Sequence, residues 1–257
     1  MSAYIIAATP RSGSFLLCEG LERTGIAGYP QEYAPRDDTA TWRDFHCFAQ
    51  HVEYFYRFPS LCRTSNGVVG VKLMWNQFSA WGLDICSYLR VDYSPSEAIR
   101  LMIGPFRVIR LIRRDRLRQA ISWIRARHSG VWSHRFRSPK NLQGGAPAYD
   151  ASAILDAIGQ LDEQNRAWDA HIESIGAPAL TIFYEDLAAD YWGTVEAVTR
   201  VLGLGQMAPQ RGSPVLARQA DAVTEEWVAR ARADLGPKLT APNANIAGAI
   251  PETPNVP

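Results

Sequence analysis

The chain alternates short apolar runs, rich in β-branched residues, with longer segments in which apolar positions recur every three or four residues. The short runs are typical of buried strands, and the longer segments are typical of helices. The predicted strands cover residues 4–9, 68–73, 107–112 and 179–184. The predicted helices cover residues 15–24, 42–58, 77–89, 115–128, 151–175 and 192–202.

The order of these elements indicates the fold class. Strands separated by helices predict right-handed βαβ crossovers, and therefore an α/β fold with a mainly parallel sheet covered by helices on both faces. We expect one domain over residues 1–236 and a poorly ordered, Pro-rich tail over residues 237–257. The Gly-, Ser- and Pro-rich residues 129–149 are expected to form a mobile loop that closes over a site.

The turn after the first predicted strand is the first candidate for chemistry. Its sequence is Pro10-Arg11-Ser12-Gly13-Ser14, and the first predicted helix follows directly. Such a turn directs backbone N–H groups and the positive end of a helix dipole to one point, which attracts phosphate or sulfate. The same residues are equally typical of a Ser-capped helix, and the local pattern does not separate the two interpretations.

The turn differs from a nucleoside-triphosphate P-loop. That motif needs a Lys before its hydroxyl residue, and no Lys occurs here. Magnesium-dependent phosphoryl transfer by a P-loop kinase is therefore a disfavoured alternative, and no metal site is predicted.

Composition limits the choice of partners. Lys and Arg number 27 against 26 for Asp and Glu, so an anion site must be a local cluster, and nucleic acid is not an expected partner. The four cysteines form no C-x-x-C pair, and no secretory leader precedes the first strand, which favours a reduced, cytoplasmic protein. No apolar stretch is long enough to predict a membrane span.

Basic side chains recur at the carboxyl ends of the predicted strands, where parallel sheets bind ligands. Arg11 follows the first strand, Lys72 ends the second, and Arg113 follows the third. We expect these groups to meet at one edge of the sheet. Most of the other arginines nearby are expected to form a solvated helix face, and Arg114 is kept as a further candidate. These other arginines are Arg110, Arg116, Arg118, Arg125 and Arg127.

Four blocks of the sequence resemble, in the same order, the trehalose 2-sulfotransferase family. The first block is Pro10-Arg11-Ser12-Gly13-Ser14-x-Leu16-Leu17 with Thr24-Gly25-x-Ala27-Gly28-x-Pro30-Gln31-Glu32-Tyr33. The second is Asn66-Gly67-Val68-x-Gly70-x-Lys72-Leu73-Met74-Trp75-Asn76-Gln77, and the third is Arg113-x-Asp115 with Gln119-Ala120-x-Ser122. The fourth is Pro214-Val215-Leu216-x-Arg218-Gln219-Ala220-Asp221 with Glu226-Trp227-Val228.

This resemblance implies a three-layer, P-loop-like α/β sandwich and a homodimer. It implies transfer of a sulfuryl group from 3′-phosphoadenylyl sulfate (PAPS) to a hydroxyl of a small carbohydrate-like or specialised-metabolite acceptor. The other product is 3′-phosphoadenosine 5′-phosphate (PAP). Residues 34–63 and 131–149, which would shape the acceptor pocket, do not follow the trehalose enzyme closely, so the resemblance does not specify trehalose.

The resemblance also implies roles for individual residues. The 5′-phosphosulfate would be bound by Arg11, Ser12, Gly13 and Ser14, and the 3′-phosphate by Arg113 and Ser122. Arg218 and Gln219 either complete the nucleotide pocket or pack as ordinary residues. Glu32 would be the general base. Lys72 pairs either with substrate or with Glu32, as a catalytic group or a structural ion pair. The candidate acceptor contacts are Tyr33, Trp75, Asn76 and Gln77.

Phe15 departs from the family pattern, which has Thr or Ser at this position. The change removes one hydroxyl from the anion site and leaves its backbone donors in place. Because a neutral hydrogen bond contributes about 1 kcal/mol, we expect weaker donor binding and not a lost site. The departure also motivates an alternative hypothesis, a non-catalytic protein of the same fold that binds 3′-phosphoadenosine nucleotides.

Overall fold

Five parallel strands form one sheet in the computed structural model, which describes residues 3–33, 51–132, 147–205, 212, 214 and 222–239. The strands are β1 (Ala3–Ala8), β2 (Gln31–Glu32), β3 (Val69–Met74), β4 (Phe106–Ile112) and β5 (Ala179–Phe183). Their order across the sheet is β2-β3-β1-β4-β5, and neighbouring strands run parallel. The predicted α/β fold with a mainly parallel sheet is confirmed.

Helices connect the strands and cover both faces of the sheet. They are α1 (Ser14–Arg23), α2 (His51–Leu61), α3 (Trp75–Leu89), α4 (Pro95–Ile103), α5 (Arg116–Ser129), α6 (Ala151–Ser174), α7 (Tyr184–Ala189), α8 (Tyr191–Val201) and α9 (Ala222–Leu239). In these described segments, none of the helices combines the length and apolar character needed to cross a membrane.

Alternation along the central strand β1 produces the three layers. Ala3, Ile5 and Ala7 face a core formed with α2, α3, α4 and part of α6. The residues between them face a second core, formed mainly with α1 and α8. Because β1 is buried on both faces, its sequence is a continuous apolar run without polar alternation.

Four predicted strands and most predicted helices are present with shifts of a few residues at their ends. The predicted helix over residues 42–58 is present as α2 from His51, and its earlier part lies outside the described residues. Residues 237–239, assigned to the tail, end α9 beyond a kink at Gly236, and the rest of the tail lies outside the described residues.

One strand and three helices of the structure were not predicted from the sequence. The strand β2 has only two residues, too few for a periodic pattern. The helix α7 begins where β5 ends, so its first residue was assigned to the strand. The helix α4 has a recognisable sequence signal, because Ser94 before the helix and Glu97 in its first turn form a capping box and Pro95 is its first residue. The helix α9 was also missed.

The register of the sheet brings the predicted basic positions together. Ile6 on β1 lies opposite Lys72 on β3, and Lys72 lies opposite Glu32 on β2. Ala7 lies opposite Arg110 on β4. The segments that follow β1, β3 and β4 therefore leave the same carboxyl edge, which is where open α/β sheets bind ligands.

Candidate active site at the carboxyl edge of the sheet

The segment that joins β1 to α1, together with the first residue of α1, is here named the anion loop and covers residues 9–14. Arg11 and Gly13 have φ angles of 62° and 91°, in the left-handed region. A Cβ atom at Gly13 would lie 2.3 Å from Cδ2 of Tyr184, so glycine meets both the conformational and the steric requirement. Gly13 is also the residue before α1, and no side chain caps the helix there. The structure therefore differs from the Ser-capped interpretation of this turn.

Carbonyl groups at the end of β1 and in the anion loop accept hydrogen bonds from other groups of the protein. Each carbonyl oxygen from residue 7 to residue 11 accepts a hydrogen bond, in order from Arg110, Trp168, the Ser12 amide, Gln119 and Arg113. The Gly13 carbonyl accepts from the amides of Leu16 and Leu17. The first N–H groups of a helix have no partner within it, so those that begin α1 project toward the loop. This arrangement suits an anion.

The Ser12 hydroxyl is a buried group that a ligand can satisfy. The residue is fully buried, and its Oγ has no hydrogen-bond partner among the described residues. Leaving such a group unpaired costs about 1–3 kcal/mol. Ser14 is 3% exposed and lies beside it in the loop. The two hydroxyls and the N-terminus of α1 together provide donors for the oxygens of a phosphate or sulfate.

Two arginines add positive charge to the anion loop. Arg11 donates from Nε to Ser122 Oγ at 2.9 Å and from Nη1 to the Trp132 carbonyl. Arg113 lies with its Cζ 4.7 Å from the centroid of the Tyr184 ring. Its buried Nε has no hydrogen-bond partner among the described residues. The structure thus brings Arg11, Arg113 and Ser122 together.

Burial disfavours the charged form of both guanidinium groups. Burial, together with the positive charge of Arg113, lowers the pKa of Arg11 to about 10. Burial also lowers the pKa of Arg113. A polyanion bound between the two groups would offset both the lost hydration and the repulsion.

Lys72, Glu32 and Phe15 form a second cluster beside the anion loop. Lys72 is fully buried, and its Nζ lies 3.0 Å from Glu32 Oε1. The geometry of this ion pair does not meet the angular criteria of a hydrogen bond, and Nζ has no hydrogen-bond partner among the described residues. Nζ also lies 3.4 Å from the centroid of the Phe15 ring, which places the ammonium over the ring face. Since Phe15 directly follows the anion loop, the cluster adjoins the anion site.

The four candidate acceptor contacts differ in their surroundings. Tyr33 is buried, its hydroxyl donates to the Tyr29 carbonyl at 2.7 Å, and burial raises the pKa of its phenol. Gln77 Oε1 accepts from the amide of Met74 at 3.3 Å, which holds the start of α3. These two side chains support the fold locally.

Trp75 and Asn76 begin α3. Trp75 is partly buried and packs against Phe78 and Trp168, with ring centroids 5.8 and 5.2 Å away. Asn76 is exposed to solvent. Both follow β3 directly and lie at the carboxyl edge, three or four residues after Lys72.

Arg110 corrects the expectation of a solvated arginine face. It lies on β4, is 2% exposed, and donates to Asp169 Oδ1 and Asn165 Oδ1 at 2.7 Å each. Its position inside an apolar strand run was the signal for burial. Arg114 is about half exposed and pairs with Asp186 at 2.6 Å.

Gln119 supports the anion loop and Trp168 supports the end of β1 just before it, and neither residue had a predicted role. Gln119 is fully buried and donates from Nε2 to the Pro10 carbonyl at 2.7 Å and to Thr9 Oγ1 at 3.0 Å. Trp168 donates from Nε1 to the Ala8 carbonyl at 2.9 Å. Gln119 belongs to the third sequence block that resembles the family. Its contacts and that of Trp168 span more than 100 residues, so no local sequence pattern predicts them.

Some predicted features lie outside the described residues. They include Arg218, Gln219 and residues 133–146 of the predicted mobile loop. Among the side chains that the structure does describe, no group of three or more His, Cys, Asp and Glu is arranged to hold a metal ion.

Comparison with known proteins gives one family and two relatives. The family model described as Stf0 sulphotransferase matches residues 3–234. A trehalose 2-sulfotransferase of Mycolicibacterium smegmatis is 33% identical over 262 residues, which covers 91% of this chain and 95% of the relative. A trehalose 2-sulfotransferase of Mycobacterium tuberculosis (strain Erdman) is 32% identical over 280 residues, covering 93% and 97%.

Proposed function

The chain belongs to the Stf0 sulphotransferase family, and we propose that it transfers a sulfuryl group from PAPS to a hydroxyl of a small carbohydrate-like or specialised-metabolite acceptor. One observation carries the proposal beyond the family. The anion loop contains the buried Ser12 hydroxyl, which has no partner among the described residues, and the loop adjoins the Glu32 carboxylate on the same edge of the sheet. Sulfuryl transfer needs both groups, one for the donor and one for the acceptor proton.

The donor would lie along the anion loop with a phosphate at each end. The 5′-phosphosulfate is bound by the residues of the loop, namely Arg11, Ser12, Gly13 and Ser14. The 3′-phosphate is bound by Arg113 and Ser122. Two observations on the described residues support this fit: Ser12 Oγ and Arg113 Nε are buried without a partner, and two guanidinium groups are held together.

In the proposed reaction, the acceptor oxygen attacks the sulfur in line with the bridging oxygen of the phosphosulfate. The new oxygen–sulfur bond forms as the bond from sulfur to the bridging oxygen breaks, and Glu32 takes the acceptor proton. PAP leaves with the negative charge, which Arg11 and the backbone N–H groups stabilise. The Lys72 ammonium, 3.0 Å from Glu32 Oε1, holds the carboxylate beside the anion loop.

The proposal also covers the acceptor, the rest of the nucleotide pocket, the cellular compartment and the oligomeric state. The names of the two relatives support a carbohydrate acceptor. Its contacts are proposed to include Tyr33, Trp75, Asn76 and Gln77. Arg218 and Gln219 are proposed to complete the nucleotide pocket. We propose a cytoplasmic homodimer that uses no metal ion, and the free thiols of Cys18, Cys62 and Cys86 support a reducing compartment.

A panel of saccharides and hydroxylated metabolites, including trehalose, tests the proposal with sulfur-labelled PAPS. The expected result is a product heavier by one sulfuryl group, with PAP formed in equal amount. Calorimetric titration with PAP is run beside it. Transfer of a phosphoryl group from ATP in the presence of magnesium, without activity on PAPS, would contradict the proposal.

A second candidate function is a non-catalytic protein that binds 3′-phosphoadenosine nucleotides. Phe15 favours it, because the family hydroxyl is absent from the anion site at this position. PAP binding without turnover on the whole panel, and without hydrolysis of PAPS by water, would favour this second function.

A further inference from the structure

Phe15 contacts the most buried charge of the site. The Lys72 ammonium lies between two groups, the Glu32 carboxylate at 3.0 Å and the Phe15 ring centroid at 3.4 Å. Lys72 is fully buried, and its Nζ makes no hydrogen bond to any described residue. In the part of the chain that the structure describes, the carboxylate and the ring face are the contacts of Nζ that offset its charge.

Cys18, one turn after Phe15 on α1, is a titratable group that interacts with this ammonium. Burial raises the pKa of its thiol to about 12, against the opposing effect of the Lys72 charge. The thiol is therefore neutral and does not neutralise Lys72. Among the described residues, the contacts that compensate the charge of Nζ are the carboxylate and the ring.

The two compensating groups respond differently to catalysis. A buried ammonium is costly unless it is paired, and the face of an aromatic ring attracts a cation most strongly where water is excluded. When Glu32 takes the acceptor proton, its negative charge disappears. The attraction of the ring does not depend on that proton. The ring therefore limits the cost of leaving Lys72 buried beside a neutral carboxyl group.

We propose that Phe15 is a positioning residue, which holds the Lys72 ammonium beside Glu32 and offsets its charge while Glu32 takes up the acceptor proton. The proposal rests on the proposed function, because it assumes that Glu32 is the base. Phe15 is the second residue of α1 and directly follows Ser14 of the anion loop. Its ring thus links the donor site to the base, in place of the hydroxyl that it lacks.

Spectroscopy tests the contact without any turnover. The chain contains only three lysines, Lys72, Lys140 and Lys238, so the full-length protein labelled with 13C at lysine Cε gives three resonances. Loss of one resonance in Lys72→Arg assigns Lys72. Protons over a ring face are shifted upfield, so we expect an upfield Hε signal in the parent and in Phe15→Tyr. In Phe15→Leu, that signal should move to the position of an ordinary lysine.

Kinetics test the role of the contact. Phe15→Leu keeps an apolar side chain and removes the ring face, and we expect kcat to fall about tenfold. The affinity for PAP, measured by calorimetry, should change less than about twofold, which also shows that the variant folds. Phe15→Tyr should recover most of the loss in kcat. Tyr56→Leu is the matched control, because Tyr56 is 79% exposed on α2 and lies outside the site.

A third variant distinguishes the effect of the Phe15 ring from the effect of the missing hydroxyl. Phe15→Ser restores the hydroxyl of the family pattern and removes the ring. If Phe15 positions Lys72, kcat falls as in Phe15→Leu even if PAPS binds more tightly. An unchanged or higher kcat in Phe15→Ser or Phe15→Leu would overturn the proposal, and so would an unshifted Lys72 signal in the parent. If the acceptor panel gives no substrate, hydrolysis of PAPS by water serves as the measured turnover.

The failure of the base assignment is distinguishable from the failure of this inference. Full activity in Glu32→Gln would refute the base and, with it, the catalytic role of Phe15. The upfield Lys72 signal and its loss in Phe15→Leu would remain in that case. A lost signal with unchanged kcat, in a protein where Glu32→Gln is inactive, would refute the role of Phe15 alone.

Discussion

Arg11 of the anion loop donates from Nε to Ser122 Oγ on α5 at 2.9 Å, across 111 residues of sequence. The contact joins a residue proposed for the 5′-phosphosulfate to one proposed for the 3′-phosphate. A guanidinium has five N–H donors in a fixed plane, so Arg11 can retain this bond while other N–H groups meet an anion. The two ends of the donor site are therefore connected by one side chain.

Arg11→Lys keeps the charge and loses the planar donor set. We expect the affinity for PAPS and PAP to fall about tenfold to a hundredfold, because an ammonium cannot bond Ser122 and an anion in the same geometry. Isothermal titration measures the change. Arg200→Lys is the control, since the Arg200 side chain is 71% exposed and pairs only with a surface glutamate in the described structure. Equal affinities for parent and Arg11→Lys would contradict the assignment.

Ser12→Ala should have opposite effects on stability and on donor binding. Removing a buried hydroxyl without a partner among the described residues should leave the free energy of unfolding unchanged or raise it by about 1 kcal/mol. The affinity for PAPS should fall about tenfold, because a hydrogen bond to a charged oxygen is lost. Chemical denaturation and calorimetry give the two values.

Ser96→Ala is the matched control for Ser12→Ala. Ser96 is also buried, but its Oγ lies 2.8 Å from His171 Nε2, so it has a partner. We expect this variant to lose about 1 kcal/mol of stability and to bind PAPS as the parent does. A loss of stability in Ser12→Ala equal to that in Ser96→Ala would show that the Ser12 hydroxyl has a structural partner.

The sheet was predictable because its central strands are buried on both faces. Continuous apolar runs such as β1 identify such strands without other information. The candidate site residues were obtained from motif blocks, and the structure brings Arg11, Arg113 and Ser122 together. The candidate site residues Arg218 and Gln219 lie outside the described residues.

The supports of the site could not be read from the sequence. Gln119 donates to the anion loop and Trp168 donates to Ala8 at the end of β1, both from more than 100 residues away, and no periodicity predicts such contacts. The Phe15–Lys72 contact is of the same kind, since it joins the start of α1 to the end of β3. At Phe15 the sequence showed only a missing hydroxyl. The contact between the Phe15 ring face and Lys72 is seen only in the three-dimensional structure.

Gln119→Leu tests whether the loop supports act on donor binding at a distance. The change keeps a side chain of similar size and removes the donors to Pro10 and Thr9. We expect the affinity for PAP to fall about tenfold and the free energy of unfolding to fall by about 2 kcal/mol, because the buried Thr9 hydroxyl and the partly buried Pro10 carbonyl lose their donor. Gln160→Leu on the exposed face of α6 is the control. Unchanged PAP affinity with reduced stability would mean that Gln119 supports only the fold.

Glu32→Gln separates catalysis from the stability of the ion pair. Turnover should fall at least about a hundredfold, because the amide cannot take the acceptor proton, while PAP affinity should stay within about twofold. The free energy of unfolding should fall by up to about 3 kcal/mol, since the buried Lys72 ammonium loses its carboxylate.

The double variant Glu32→Gln/Lys72→Met then distinguishes the two losses. Replacing both members of a buried ion pair by groups without charge is often neutral for stability, so the double variant should regain most of the unfolding free energy lost in Glu32→Gln. Its turnover should stay at the level of Glu32→Gln, because the base is still absent. Denaturation and the labelled-PAPS assay measure the two quantities on the same preparations. Recovery of turnover together with stability would show that Glu32 acts only by neutralising Lys72, and the carboxylate would no longer be the base.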